Sequence, residues 1–110
     1  MGLTNTTRYT EAQNTLAQWA KALAHPARIA IIEYLLRQNS CINSNLVQEL
    51  GLAQATVSQH LRELKEAGLI HGTIEGTSIN YCINPVQWQA VDKAFQSFFA
   101  NYRSDTSSCC

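Results

Sequence analysis

Two groups of residues in this 110-residue sequence could do chemistry: four cysteines, and a run of amide, hydroxyl and guanidinium side chains between Gln54 and Arg62. The cysteines are Cys41, Cys82, Cys109 and Cys110, irregularly spaced and without a C-x-x-C pair. In a small chain whose start lacks a secretory pattern, thiols suit metal or redox work better than a disulfide framework. Soft thiophilic ions prefer thiolates, and three thiolates close a pyramidal site. Cys41, Cys109 and Cys110 are the candidate set. From Tyr102 to Cys109 an extended tail reaches up to about 25 Å, enough to approach Cys41. The same thiols can instead pair on oxidation, as a redox switch, or the tail can do nothing. Cys82, out of phase with Tyr81 on an alternating stretch, reads as a buried free thiol.

The polar run lies within Ile42 to Gly68, which reads as two helices joined by a tight turn. Leu46, Val47 and Leu50 recur at helical spacing, with Asn43 or Ser44 available as a cap. Gly51 follows where a chain leaving a helix needs positive φ. On the second helix Val57, Leu61 and Leu64 form an apolar stripe, and Gly68 closes it. Steps of about 100° per residue put Ala55, Gln59, Arg62 and Glu66 opposite that stripe, with Thr56 and Ser58 on its flanks. Amides and guanidinium forks match base edges, so this face suits the major groove of duplex DNA. An amphipathic surface helix with no partner is the competing reading.

The elements that must position these groups follow in order. Residues 1–9 are polar and expected to fray. Thr10 with Gln13 fits a capping box, and Leu16, Trp19, Ala20 and Leu23 mark the apolar side of a first helix. His25-Pro26 interrupts it, with Pro26 suited to the first turn of a second helix carrying Ile29, Ile32, Leu35 and Leu36. Short breaks between these helices imply a compact trihelical core. After Gly68 the period changes to alternation. Leu69-Ile70 begins a strand, Glu75-Gly76-Thr77 makes a hairpin turn, and Ile79, Tyr81 and Ile83 share one side. Asn84-Pro85 opens a last helix whose Trp88, Val91, Phe95, Phe98, Phe99 and Tyr102 make an aromatic stripe wider than one small core needs. Burial against a second subunit accounts for the excess. The fold class is therefore α+β, mainly α: a winged helix-turn-helix at residues 10–102 with dimerising N- and C-terminal helices, and a flexible, Cys-ending tail at 103–110.

Composition limits the function. Eight basic and eight acidic residues cancel, at a sequence pI near 6.8. That argues against a nonspecific, charge-driven nucleic-acid binder and predicts modest, salt-dependent affinity. No apolar run approaches the roughly 20 residues of a membrane span, so a cytoplasmic chain is expected. No nucleophile–base pair or pair of carboxylates forms a catalytic motif, so no enzyme is expected and no cofactor is required. A thiol-redox enzyme would need a thioredoxin-like pattern around Cys109-Cys110. A module that binds only proteins would need an apolar or acidic face where Gln59 and Arg62 stand. His25 is read as capping or packing beside Pro26, His60 as a DNA contact or a solvated residue, and His71 as a surface residue.

Leu23-Ala24-His25-Pro26-Ala27-Arg28-Ile29 with Ile32, and Leu50 to Leu61 with Leu64 and Ala67-Gly68-Leu69-Ile70, resemble the arsenical-resistance-type (ArsR) metalloregulatory repressors. The likeness covers roughly Leu16 to Tyr102. It implies a homodimer on palindromic double-stranded operator DNA, repressing from there until an inducer releases it. It implies two reading helices in major grooves about 34 Å apart. By position, Gln54, Thr56, Ser58, Gln59, His60 and Arg62 become DNA contacts, and Leu16, Trp19, Val91, Phe95, Phe98 and Tyr102 the dimer interface. As(III) or Sb(III) bound by cysteines is the expected inducer, with thiol oxidation or a metal-free control as the alternative. Four departures stand out. Ala53 replaces a frequent capping Ser, at about 1 kcal/mol of helix stability. The wing, Gly72 to Ser78, has Glu75 and no Lys or Arg. Cys41 is followed by Asn43 where arsenical sensors carry Cys-x-Cys. The last helix has Asp92 but no histidine for a zinc-type site.

Overall fold

The computed structural model describes residues 8–38, 46–75 and 78–102. Among these residues five helices and one hairpin follow in the order α1 (Glu11–Ala22), α2 (Pro26–Gln38), α3 (Leu46–Leu50), α4 (Gln54–Glu66), β1 (Ile70–Glu75), β2 (Ser78–Ile83) and α5 (Pro85–Phe99). This is the mainly helical winged architecture that the sequence predicts.

Local chemistry sets most boundaries. The Thr10 hydroxyl accepts from the Gln13 N–H at 3.0 Å, and the Gln13 amide oxygen accepts from the Thr10 N–H at 2.9 Å. This reciprocal pair satisfies two of the N–H groups that a helix start leaves open. Pro26 occupies the first position of α2, where its missing N–H costs nothing. Asn84 caps α5 by accepting from the Gln87 N–H at 3.2 Å. Gly51 and Gly68 both take positive φ, +67° and +83°, at the ends of α3 and α4. Ala53 stands at the cap of α4 without a side-chain bond, as its methyl group requires. The suggested caps Asn43 and Ser44 lie outside the described residues.

The core lies where α2, α4 and the base of the hairpin meet. Ile31, Leu35, Val57, Leu64, Leu69 and Ile70 are essentially without solvent contact. Trp19 of α1 and Val91 of α5 close it from the other end. The stripe expected on α4 is thus the buried one. The face of α2 differs from expectation: Ile31, Ile32 and Leu35 are buried, while Ile29 and Leu36 are 41% and 45% exposed. Four apolar residues in a row from Ile29 satisfy several helical phases, and packing selects the phase that turns Ile31 inward.

β1 and β2 pair antiparallel from Ile70↔Ile83 out to Glu75↔Ser78, with Gly76 and Thr77 outside the described residues. Tyr81 and Ile83 pack on the core, on the side of the strand that alternation assigns them. The hairpin is tied to both neighbouring helices through the backbone. The Leu69 N–H donates to the Leu64 carbonyl at 3.1 Å, and the Asn84 N–H donates to the Leu69 carbonyl at 3.0 Å.

The two glycines separate backbone strain from crowding. A Cβ at Gly51 would meet nothing within 4 Å, whereas at Gly68 it would lie 3.1 Å from the Gln87 amide nitrogen. Gly51→Ala should therefore cost only the left-handed penalty, about 1–2 kcal/mol. Gly68→Ala should cost more, because the Gln87 side-chain amide must also give by a few tenths of an ångström. Urea unfolding of both variants measures the difference, and equal midpoints would show that Gln87 gives way freely.

Candidate nucleic-acid interface

A stripe at helical phase forces α4 to be two-sided. Val57, His60, Leu61 and Leu64 are buried on one side. Gln54, Ala55, Thr56, Gln59, Arg62, Lys65 and Glu66 are exposed, and Ser58 and Glu63 lie between. The outward side chains are already ordered among themselves. The Gln54 amide donates to the Ser58 hydroxyl at 3.2 Å. Arg62 donates to the Gln59 amide oxygen at 3.2 Å, and the Gln59 amide nitrogen donates to the Glu63 carboxylate at 3.0 Å. Gln59 is thus aligned by a cation on one side and an anion on the other. These bonds face water, so exchanging them for base edges costs little, while both ends of the amide and the remaining guanidinium donors can pair.

Five of the six expected DNA contacts, Gln54, Thr56, Ser58, Gln59 and Arg62, therefore share the open side of α4. His60 departs from the set. It is only 7% exposed, and its Nδ1 accepts from the Arg28 Nε–H at 3.0 Å. The reason is its phase, about 60° from Val57 and within the width of the buried stripe. Arg28 also donates to the Ala22 carbonyl at 3.3 Å. His25 caps α2, its Nδ1 accepting from the Ala27 N–H at 3.0 Å, and its ring stands 4.5 Å from that of His60. Burial, then the neighbouring His25 and Arg28, hold the His60 pKa below 6.5, with Glu63 opposing them. Sequence reasoning named Arg28 only within the motif from Leu23 to Ile29 and missed this cluster. The phase of His60 was its one visible signal.

The other candidate groups are placed less completely. Cys41, Cys109 and Cys110 lie outside the described residues. Cys82 is half-buried on β2 beside His71 of β1. It is disulfide-bonded, and so is not the free thiol that its position in the alternation suggests. Among the described residues no group of three or more His, Cys, Asp or Glu side chains is arranged to hold a metal ion. None of the helices searched is long and apolar enough to cross a membrane.

The expected interface residues divide in two. Trp19 and Val91 are already buried within the single chain, and Leu16 and Phe95 pack partly against the same core. Phe98, Phe99 and Tyr102 remain 55%, 67% and 79% exposed at the end of α5. Phe99 stacks on Phe95 at a ring-centroid distance of 6.0 Å and meets Phe98 in a tilted arrangement at 5.4 Å. Of the expected interface residues, Phe98 and Tyr102 are thus the two that the single chain leaves exposed.

Residues 25–71 match the model of the arsR family of bacterial regulatory proteins. The chain is 34% identical over 67 residues to an HTH-type transcriptional regulator of Methanocaldococcus jannaschii, a match covering 61% of this chain and 75% of that one. It is 38% identical over 71 residues to the HTH-type transcriptional repressor SmtB of Mycobacterium tuberculosis, covering 64% of this chain and 52% of that one. In general it spans 52% to 59% of the length of the mycobacterial relatives it matches. Its fold superposes on an ArsR-like transcriptional regulator from Rhodococcus sp. RHA1 with a TM-score of 0.71 at 22% identity, over 84% of this chain and 86% of the other. With the family match over residues 25–71 and the Methanocaldococcus jannaschii regulator covered to three quarters of its length, the chain belongs to the arsR family of bacterial regulatory proteins.

Proposed function

We propose that this chain is a homodimeric transcriptional repressor that reads double-stranded operator DNA with the outward side of α4 and leaves it when an inducer acts on its thiols. The observation that carries the reading is the division of α4. Gln54, Thr56, Gln59 and Arg62 stand in solvent on a helix whose opposite side is fixed in the core. Repression is the direction named for the relative SmtB. With a formal net charge of zero, specificity must come from such base contacts more than from general attraction to phosphate. Gln59→Ala and Arg62→Ala should each weaken operator binding by about 1–3 kcal/mol and leave thermal stability nearly unchanged. Gel shifts with DNA upstream of the protein's own gene test this, and wild-type affinity in both variants would remove α4 as the reading element.

A dimer is needed to cover Phe98, Phe99 and Tyr102 and to present two copies of α4 to a palindrome. Phe98→Asp combined with Tyr102→Asp should give a folded monomer without operator binding, because both side chains are exposed in the single chain while charge at a buried interface is costly. Sedimentation of the wild type as a monomer at micromolar concentration would refute it.

For the inducer, a soft metalloid ion, As(III) or Sb(III), held by Cys41, Cys109 and Cys110 remains one reading. The disulfide at Cys82 supports the second, thiol oxidation. Arsenite titration of reduced wild type, Cys41→Ser and a chain lacking Cys109 and Cys110 tests the first by sulfur-to-metalloid absorbance. Peroxide treatment of wild type and Cys82→Ser bound to operator tests the second. Absorbance lost in the two cysteine variants identifies the metalloid site, and peroxide release lost in Cys82→Ser identifies the oxidative switch.

A further inference from the structure

His60 is the single buried polar side chain among the described residues, and it sits at the centre of the proposed reading helix, next to Gln59. Its one side-chain tie runs to another helix, from the Arg28 Nε–H of α2 to Nδ1 at 3.0 Å. Arg28, itself half-buried, also holds the Ala22 carbonyl of α1. One guanidinium therefore joins the end of α1, the start of α2 and the middle of α4. His25 covers this joint from the solvent side, its ring tilted by 52° against that of His60.

The hydrogen-bond chemistry fixes the protonation state. A guanidinium can only donate, so Nδ1 of His60 must carry a lone pair. A backbone N–H can only donate, so Nδ1 of His25 must do the same towards Ala27. An imidazolium has no acceptor. Protonating His60 would set N–H against N–H at the Arg28 contact and place a second cation there. The charged or titratable groups acting on His60 are Arg28 from α2, His25 from the α1–α2 turn and Glu63 from α4 itself. Glu63 alone favours the cation, and its carboxylate already accepts from Gln59.

We infer that Arg28 and His60 are positioning residues that hold the reading side of α4 in register with α1 and α2 only while the His60 imidazole is neutral, so that acidification loosens α4 and weakens operator binding. The inference rests on the DNA-reading proposal. Its sign follows from the folded state's preference for neutral His60. The contribution is fully present above pH 6.5, the ordinary histidine value, and is lost as pH falls through the lower pKa of the folded protein. An apolar stripe fixes how deeply α4 is buried, but a directional bond is needed to fix its rotation and its position along the axis.

The test compares operator binding at about pH 7.5 and pH 5.5 in wild type, His60→Asn and His71→Asn. An asparagine carbonyl can take the place of Nδ1 as acceptor for Arg28 without titrating. Wild type and His71→Asn should bind several-fold more weakly at the lower pH. His60→Asn should match wild type at the higher pH and change little at the lower one. An acid loss in His60→Asn equal to that of wild type overturns the inference, as does a wild type with no acid loss. NMR titration of the free wild-type protein serves as the second measurement, and it decides if His60→Asn fails to fold. The His60 ring should titrate below 6.5, and the Arg28 Nε–H signal should move with it. A ring midpoint at or above 6.5, or an Arg28 signal indifferent to it, overturns the inference. Absence of any operator binding by wild type at pH 7.5 would instead count against the DNA-reading proposal, while the NMR titration still judges the positioning role.

Discussion

Val57, Leu61 and Leu64 hold α4 in the molecule by burial, and the freedom of its other side depends on that. Each such side chain withdrawn from water contributes about 1.5–3 kcal/mol, so the three together rival the net stability of a small domain. They pack where α2 and the base of the hairpin converge, with Leu64, Leu69 and Ile70 losing almost all solvent contact. Because the anchoring is complete on one side, the opposite side can be made of residues that add nothing to folding. Gln54, Thr56, Gln59 and Arg62 are free to be chosen for what they touch outside the protein.

Hydrophobic burial is non-directional, and a helix held by it alone can roll or slide by a fraction of a turn at small cost. The Arg28–His60 bond removes that freedom through geometry more than through strength. It also explains why a polar pair is tolerated in a small core: no buried side-chain polar atom among the described residues lacks a partner. Replacing the pair with apolar side chains of similar size could keep the stability, but it would give up the fixed angle.

The parts of this fold that are local in sequence were legible in it. Thr10 with Gln13, Asn84 with Pro85, and the two positive-φ glycines carry their structural meaning within four residues, and the structure realises each. The α4 stripe was equally clear, since its apolar residues fit one phase only. α2 was not, because consecutive apolar residues leave the phase to tertiary packing, which turned Ile29 and Leu36 outward. His60 was misjudged because imidazole is at home on either side of a helix, and its partner Arg28 stands 32 residues away. A pairing at that separation leaves no local signature. Of the candidate site, the exposed amide and guanidinium residues could be read and their supporting layer could not. The four cysteines could be counted, but nothing in their spacing announced that Cys82 is bonded.

The hairpin base has a mechanical consequence. Leu69 both donates to α4, through the Leu64 carbonyl, and accepts from Asn84, whose own carbonyl receives the Trp88 N–H of α5 at 2.8 Å. The route from one helix to the other is thus three consecutive main-chain hydrogen bonds with no side chain in it. Such a linkage behaves as a stiff hinge pin. Substitutions along it can alter packing but leave the connection itself in place, because every residue type except proline offers the same donor and acceptor. A tilt imposed on α5 at its aromatic end would reach the last turn of α4 as a displacement of the backbone, largely independent of how the core side chains repack.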